Sequence, residues 1–557
     1  MDVYKLKKYK FYGDIIGNLS IKGKNLEPSI NGNIYVNNGI LTKPIVNAKG
    51  ATIKLNFIGK YLNFDVLVPA GAGENVKVKG GVELYNVKYS DMRIWSSKNV
   101  NLQTAEDKVV PLHEILNFVI GPVPIMDVKG VGNIDITVKG NRKNPHVWGI
   151  LDLREVTTYF KEMPNLVLHN AEAVLNFNDE DAVFNLKQGK INGKDVSIDG
   201  TCNLSGKFDF DVKAENQELS YLYKAIKTSA LIDDLKNMVP EFDAVSGLIT
   251  LKAKVYGSIK DIEDIKYNEN FFAKGIINLL DNGISYQGIS AHDTKGIINF
   301  EPTSSQGEIT SKIGNSPIKA SFKTKENFVD LFAESPKLLI NDLFLNNHDF
   351  PKDMGNITVW INTKYKGKID NIEYDKIDFT GRILNTHKNN KLKISNGEVS
   401  LKNNRLKISD VYGNFADTKS EFNINLTADN LSARPTLYGK IKLKDFELSL
   451  INTFSDYAII PQNIRENLNK IRFDKGKINL NANLNRNDIY ASTDLGGVEL
   501  TYTPLGLPIK IVNGSIYTRK NFAGLNKINL LMDGMPVLLD GNINNIFTSP
   551  KFNIYVN

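Results

Sequence analysis

The chain holds one cysteine in 557 residues, Cys202, so no intramolecular disulfide can form and no cluster held by several thiolates is available. Long apolar runs are also missing. The longest, Ile115 to Met126, is broken by Asn117, Gly121, Pro122 and Pro124, and it falls far short of the ~18 residues a membrane-spanning helix needs. The first ten residues, Met1 to Lys10, carry positive charge with no apolar stretch behind them, which excludes a secretory signal as written. Histidine is scarce and scattered: His113, His146, His169, His292, His348 and His387 contain no pair at the spacing a zinc site uses. No sign of charge dominates either. The 69 Lys+Arg against 62 Asp+Glu leave +7, spread along the chain rather than gathered into the patch of a nucleic-acid binder.

What is abundant is asparagine, with 67 residues, followed by lysine, isoleucine and 42 glycines. Asn and Gly favour turns and Ile favours strands, so the composition predicts many strands joined by many tight turns. At 41% hydrophobic the chain is far too apolar to be disordered. Its length suits three to five domains or one elongated repeat structure.

An internal repeat is visible before any motif. A glycine followed by alternating apolar residues recurs at Gly17, Gly132, Gly247, Gly355 and Gly476, at intervals of 115, 115, 108 and 121 residues. A second marker lies between these, at Ala51, Ala171, Gly296, Gly397 and Gly514, with a similar period. The expected repeats are residues 1–131, 132–246, 247–354, 355–475 and 476–557, the first and last truncated. Within each, apolar residues alternate with Lys, Asn, Asp, Thr and Ser, which predicts sheets with one dry and one wet face. Asn192-Gly193, Asn282-Gly283 and Asn396-Gly397 read as hairpin turns. Helices are expected only over Leu112 to Val119, Gln217 to Val239 and parts of Leu448 to Ile471, each shortly before a marker glycine. Each repeat therefore reads as about five strands plus a connecting segment. The last residues run in mid-pattern without a capping element, as expected for a piece of a longer protein.

No enzyme constellation emerges, and neither a cofactor nor a metal is expected. Asp179-Glu180-Asp181 lacks the spacing of a calcium loop and reads as a solvated hairpin tip. Gly71-Ala-Gly73 lacks a third glycine and a following helix. Ser285 misses nucleophile-elbow spacing by one residue. Cys202 sits at an alternating apolar position and reads as a small buried hydrophobe. Lys7, Lys8 and Lys10 read as a solvated edge ahead of a contact with anionic headgroups.

Three helical segments cannot shield a face of this many strands, and an exposed apolar face that large implies a ligand or partner. Three stretches share a Gly/Asn-x-Pro-x-apolar strand-opening pattern: Gly541 to Val556, Gly140 to Gly149 and Asn430 to Gly439. With the stretch Gly497 to Gly514, they make the chain resemble the AsmA/TamB/YhdP family of Gram-negative envelope proteins, over nearly its whole length. That resemblance implies an all-β fold: an elongated, twisted, antiparallel repeat sheet forming a taco-like apolar groove, with a few short helices between repeats. It also implies bridge-like phospholipid transport in the periplasm. The inner and outer membranes would be reached through segments missing here, with an inner-membrane anchor in the full-length protein. It carries no catalytic residues.

The lining residues expected to meet phospholipid acyl chains are Ile53, Leu55, Phe57, Phe64, Val66, Ile134, Ile136, Leu175, Phe177, Ile249, Leu251, Ile357, Val359, Ile424, Leu426, Ile478 and Leu480. Two other readings of the same pattern stand beside this one. A structural or adhesive scaffold would bury the apolar face completely, and an envelope-protein assembly factor would offer strand edges to β-rich clients.

Overall fold

The computed structural model describes residues 10–23, 29–42, 47–69, 75–83, 96–104, 110–112, 126–141, 144–160, 163–203, 205–228, 241–258, 269–286, 288–344, 355–369, 373–415, 418–454, 462–546 and 550–557. The chain is all-β and antiparallel. It divides into two compact units, one of Met1–Pro240, Ser246–Leu280 and Ile298–Thr303, the other of Glu241–Val245, Asp281–Ile297 and Ser304–Asn557.

Each unit is a meander in which a strand pairs with the one before and the one after. In the first unit six strands follow one another: Lys10–Lys22, Ser29–Thr42, Asn47–Gly59, Tyr61–Pro69, Asn75–Glu83 and Ser96–Thr104. Six more continue the sheet: Met126–Asn141, Asn144–Phe160, Met163–Asp179, Asp181–Ile191, Lys194–Asn203 and Lys207–Glu218. The second unit repeats the arrangement with Ile357–Lys368, Ile377–Thr386, Leu392–Lys402, Arg405–Phe415, Glu421–Asp429 and Thr436–Glu447. A set thus has six strands, where alternation alone suggested about five. The extra strand is hard to read because one such as Ser96–Thr104 carries apolar residues only at Val100 and Leu102.

Between sets the chain leaves the sheet and returns beside the strand it left. Ser96–Thr104 pairs directly with Met126–Asn141, and Lys207–Glu218 pairs with Leu248–Ser258. In the second unit Phe328–Leu339 pairs with Ile357–Lys368, and Thr436–Glu447 with Lys477–Asn485. The excursions hold the described helices: Leu219–Thr228, Ile340–Leu343, Ser449–Phe454 and Gln462–Leu468. The expected helix over Leu112 to Val119 lies outside the described residues except for Leu112, as does the second half of Gln217 to Val239. Ile340–Leu343, a single turn, gave no periodic signal.

The sheets are interrupted along a line. In the first unit the pairing register slips at Tyr12/Asp14, Val36/Gly39, Lys129/Val131, Leu168/Ala171, Asn185/Lys190 and Ala214/Gln217. In the second it slips at Ser335/Leu338, Ile408/Val411, Leu443/Phe446 and Leu525/Ile528. Each slip is a β-bulge, which bends and further twists its strand. Stacked on neighbouring strands, the bulges form a crease. The left-handed conformation this requires falls on Asn38, Asn170, Asn216, Asp410 and Asp445, with φ between 47° and 51°, and Asn and Asp tolerate that region best among non-glycine residues. Part of the asparagine excess therefore serves strand interiors as well as turns. Asn192-Gly193 is the expected hairpin turn. Asn282-Gly283 and Asn396-Gly397 are corrected: both lie within strands, Phe271–Tyr286 and Leu392–Lys402. At Asn396 the register slips, and buried Gly397 leaves room for Ile383 and Val411, which a Cβ would meet at 2.9 and 3.0 Å.

The repeat glycines belong to this crease. The backbone N–H groups of Leu219, Asn341 and Leu448, at the starts of three helical excursions, donate to the carbonyls of Gly247, Gly355 and Gly476 at 2.9, 3.0 and 3.1 Å. The equivalents in the first two repeats are Gly13 and Gly130, not Gly17 and Gly132, which sit inside strands beyond the bulge. At Gly130 and Gly476, with φ of 133° and 129°, an added Cβ would stand 2.9 Å from the Cα of Val156 and 2.8 Å from that of Val498. The neighbouring strand's buried valine closes on bare backbone there. Gly476→Ala should destabilise the protein by roughly 1–3 kcal/mol from backbone strain, with the clash added, seen as a lower urea midpoint. Gly496→Ala, with no atom closer than 3.6 Å to its Cβ, should stay within about 0.5 kcal/mol.

Candidate functional site

Register decides which side chains share a face. In the first unit one ladder crosses Val36, Ile53, Val66, Val78, Leu102, Ile136, Gly149, Phe177, Ala182, Cys202 and Phe208. Beside it run Ile34–Leu55–Phe64, Gly32–Phe57–Leu62 and Ile134–Leu151–Leu175–Phe184–Gly200–Phe210. Leu251 lies opposite Ala214 and Ile277, and Ile249 opposite Leu279. All eleven candidates of this unit, from Ile53 to Leu251, thus lie on one face. In the second unit Ile361–Gly381–Val399–Ile408–Leu426–Gly439 forms a ladder. Ile424 pairs with Ile441, Leu480 with Leu443, Ile478 with Phe446 and Val359 with Leu338 on the same side.

Burial divides these residues into two groups. Ile134, Ile136, Ile249 and Ile357 are closed in, at 1%, 9%, 2% and 6% exposure. Ile134 and Ile136 pack with Val156, Ala171, Leu186 and Val196 in one unit, Ile249 stands opposite Gln217 at the slip that follows Ala214, and Ile357 precedes the slip at Thr358/Val359 in the other unit. Ile53, Leu55, Phe57, Phe64, Val66, Leu175, Phe177, Leu251, Val359, Ile424, Leu426, Ile478 and Leu480 remain half-buried. The four closed residues are structural, and the rest form a half-buried apolar strip, with Val359, Ile424 and Ile478 standing at the register slips themselves. The buried core of the second unit is Phe446, Leu448, Val498, Ile511, Ile528 and Leu530, on which Leu450 and Ile451 of helix Ser449–Phe454 pack together with Phe473. In the first unit helix Leu219–Thr228 packs on strands Met163–Asp179 and Lys207–Glu218 and buries Ala225.

The strip includes Phe208 and Phe210, which are not among the expected lining residues. Aromatic rings lie over glycines of the adjacent strand. A Cβ at Gly200 would meet Phe210 Cδ1 at 2.7 Å, and one at Gly413 would meet Phe422 Cζ at 2.8 Å. Phe210 also stacks with Phe208 at 5.8 Å and meets Phe184 edge-on at 5.9 Å. The signal was present in Lys207-Phe-Asp-Phe-Asp-Val, and the glycines opposite it explain why rings fit there. The other side of the sheet carries exposed ion pairs, among them Lys254–Asp209 at 3.0 Å, Arg382–Glu398 at 3.1 Å and Lys510–Glu499 at 3.1 Å. Such pairs contribute about 0–1 kcal/mol each, so they solvate the face more than they hold it. The Arg405 guanidinium beside Asp429 draws that carboxyl below its ordinary range.

The remaining candidate chemistry does not assemble. Cys202 is half-buried rather than buried, and desolvation, then the Asp181 carboxylate, pushes its thiol up, away from the reactive thiolate. Ser285 Oγ meets Ser290 Oγ at 2.8 Å, which supplies no base. Glu180 is the tip of a hairpin, as expected, while Asp179 bonds His146. His387 Nε2 lies 3.1 Å from Thr358 Oγ1. Among the described residues no three His, Cys, Asp or Glu converge as a metal set. His113, His348, Lys7, Lys8 and Gly71-Ala-Gly73 lie outside the described residues. No helix among the described residues is long and apolar enough to cross a membrane. Comparison with family models, curated proteins and solved structures finds no match to this chain.

The division between crease and strip has a measurable consequence. Ile249→Ala, which empties a closed site, should cost about 2–5 kcal/mol. Leu55→Ala, on the half-open strip, should cost only about 1 kcal/mol. Urea unfolding of the two variants compares them directly, and equal costs would mean that the strip is as closed as the crease.

Proposed function

We propose that the apolar strip binds phospholipid acyl chains and carries them between the membranes of a Gram-negative-type envelope, as in the AsmA/TamB/YhdP family that the sequence resembles. The observation that carries this reading is the difference in burial on one face. Some side chains of this face are closed, many of them near the crease, while others on the same face stay half-buried. A face packed against a second sheet would hold both groups near zero exposure. Acyl chains suit such a surface because they offer about 0.8 kcal/mol per buried methylene and require no hydrogen bond.

The mechanism needs no bond-making and no cofactor. Ladders such as Ile34–Leu55–Phe64 run from strand to strand without a polar residue and stay half-buried, so an acyl chain exchanges one apolar contact for another as it slides. Headgroups stay in water. The inner and outer membranes are the partners at either end, reached in the periplasm through further segments of the protein.

The test is native mass spectrometry of detergent-free protein with lipid extraction. Wild type should carry phospholipid. Leu55→Asp combined with Leu426→Asp, one charge on the strip of each unit, should lose most of it while retaining the β-sheet circular dichroism spectrum. Well-folded wild type that is free of lipid would overturn the proposal.

A further inference from the structure

The hairpin tips of the second unit differ in chemistry along one edge, the edge where the helical excursions leave the sheet. Other turns there are polar, such as Gly314-Asn315 and His387-Lys-Asn-Asn-Lys391. Two neighbouring tips are apolar. Strands Val498–Tyr502 and Leu507–Arg519 are joined by Thr503-Pro-Leu-Gly506, and strands Phe522–Met532 and Met535–Asn544 by Asp533-Gly534. Leu507–Arg519 pairs with Phe522–Met532, so the two tips adjoin, and the backbone N–H of Asp533 donates to the Pro508 carbonyl at 2.9 Å.

Leu505 is 75% exposed and Met535 66%, and Pro504, Pro508 and Pro536 beside them are exposed as well. A single exposed apolar side chain is ordinary on a protein surface, but these two stand together on turns that are held in place. Thr503 donates its N–H to the Lys470 carbonyl at 2.9 Å and its hydroxyl to the Asn469 carbonyl at 3.0 Å. Gly506 and Gly534, with φ of 62° and 82°, turn the chain. Asp533 is the one charge in residues 503–508 and 533–536. Lys470 is exposed behind the first tip.

We infer that these two tips dip into the surface of a phospholipid bilayer, with Leu505 and Met535 among the upper acyl carbons and Lys470 toward the lipid phosphates. A protein partner suits them poorly. A stable protein interface buries about 800 Å² on each side, which two turns cannot supply, and it needs a pocket shaped to receive them. A fluid bilayer yields around any protruding side chain, and its wet interfacial layer still solvates the polar backbone of the turns. The contact requires neither the apolar strip nor a lipid bound to it, so it stands apart from the transport reading.

The experiment is flotation of the full chain with vesicles of phosphatidylethanolamine and phosphatidylglycerol. Wild type should float with the vesicles. Leu505→Ser combined with Met535→Ser changes two exposed positions, so the circular dichroism spectrum should be kept while the partition constant falls roughly tenfold for each side chain. Leu55→Asp combined with Leu426→Asp, on the strip, should float as wild type does. An environment-sensitive fluorophore attached through Leu505→Cys in a Cys202→Ser chain should shift to the blue when vesicles are added, and one attached through Asn315→Cys should not. Wild type that stays behind in solution, as it would if the tips met a protein, would overturn the inference. So would a tip variant that floats like wild type, a strip variant that fails to float, or equal spectral shifts at the two labelled positions. Bound lipid is read separately by native mass spectrometry, so failure of the transport reading leaves this test intact.

Discussion

A flat antiparallel sheet with one apolar face has nothing to bury that face against, and the row of β-bulges is how this chain meets that constraint. Each bulge bends its strand, and because the bulges stand side by side the bend falls along a line instead of dissipating. The closed side chains gather there: Ile134, Ala171, Ile249 and Leu338, then Val498 and Ile528. The positive-φ asparagines and aspartates that permit the bulges, and the glycines over which Val156 and Val498 close, are local requirements of the same bend. Helical excursions begin at this line because the carbonyls of Gly247, Gly355 and Gly476 receive their first N–H groups.

Much of this was legible in the sequence, for a physical reason. Alternation with period two survives any bend that preserves the pleat, so Ile53-Lys-Leu-Asn-Phe57 and Phe422-Asn-Ile-Asn-Leu426 reported their faces correctly. The first marker met the crease at Gly247, Gly355 and Gly476 and missed it at Gly17 and Gly132, where Gly13 and Gly130 stand at the slip. At Gly476 and Gly514 the neighbouring Val498 and Ile528 close on the backbone. What could not be read was the function of Asn-Gly. The pair supplies the same dihedral freedom to a hairpin tip and to a bulge, so Asn192-Gly193 and Asn396-Gly397 look alike in sequence. Only the pairing on both sides of Leu392–Lys402 separates them. The division of the lining residues was hidden for a related reason. Ile249 and Leu251 are the same kind of residue two positions apart, and their burial depends on the strands around them.

Asparagine's abundance acquires a structural meaning from this. A residue that accepts the left-handed region and can bond its own backbone serves turns, bulges and exposed edges alike. Asn425 shows the economy. Its side-chain oxygen accepts from the backbone N–H of Asp410 at 2.8 Å, steadying the bulged residue on the neighbouring strand. The polar side of the sheet is thus fitted to hold the bend.

The central claim, that the half-buried strip meets acyl chains while the closed positions do not, is tested most directly by site-specific photocrosslinking. A photoreactive phenylalanine analogue would replace Phe177 on the strip, and in separate proteins Ile249 in the crease and Lys187 on the polar side, in cells growing with labelled phospholipid. The account predicts labelled lipid on the protein carrying the probe at 177 and none at 249 or 187. Crosslinks from position 177 only to protein, or lipid labelling equal at all three positions, would contradict it.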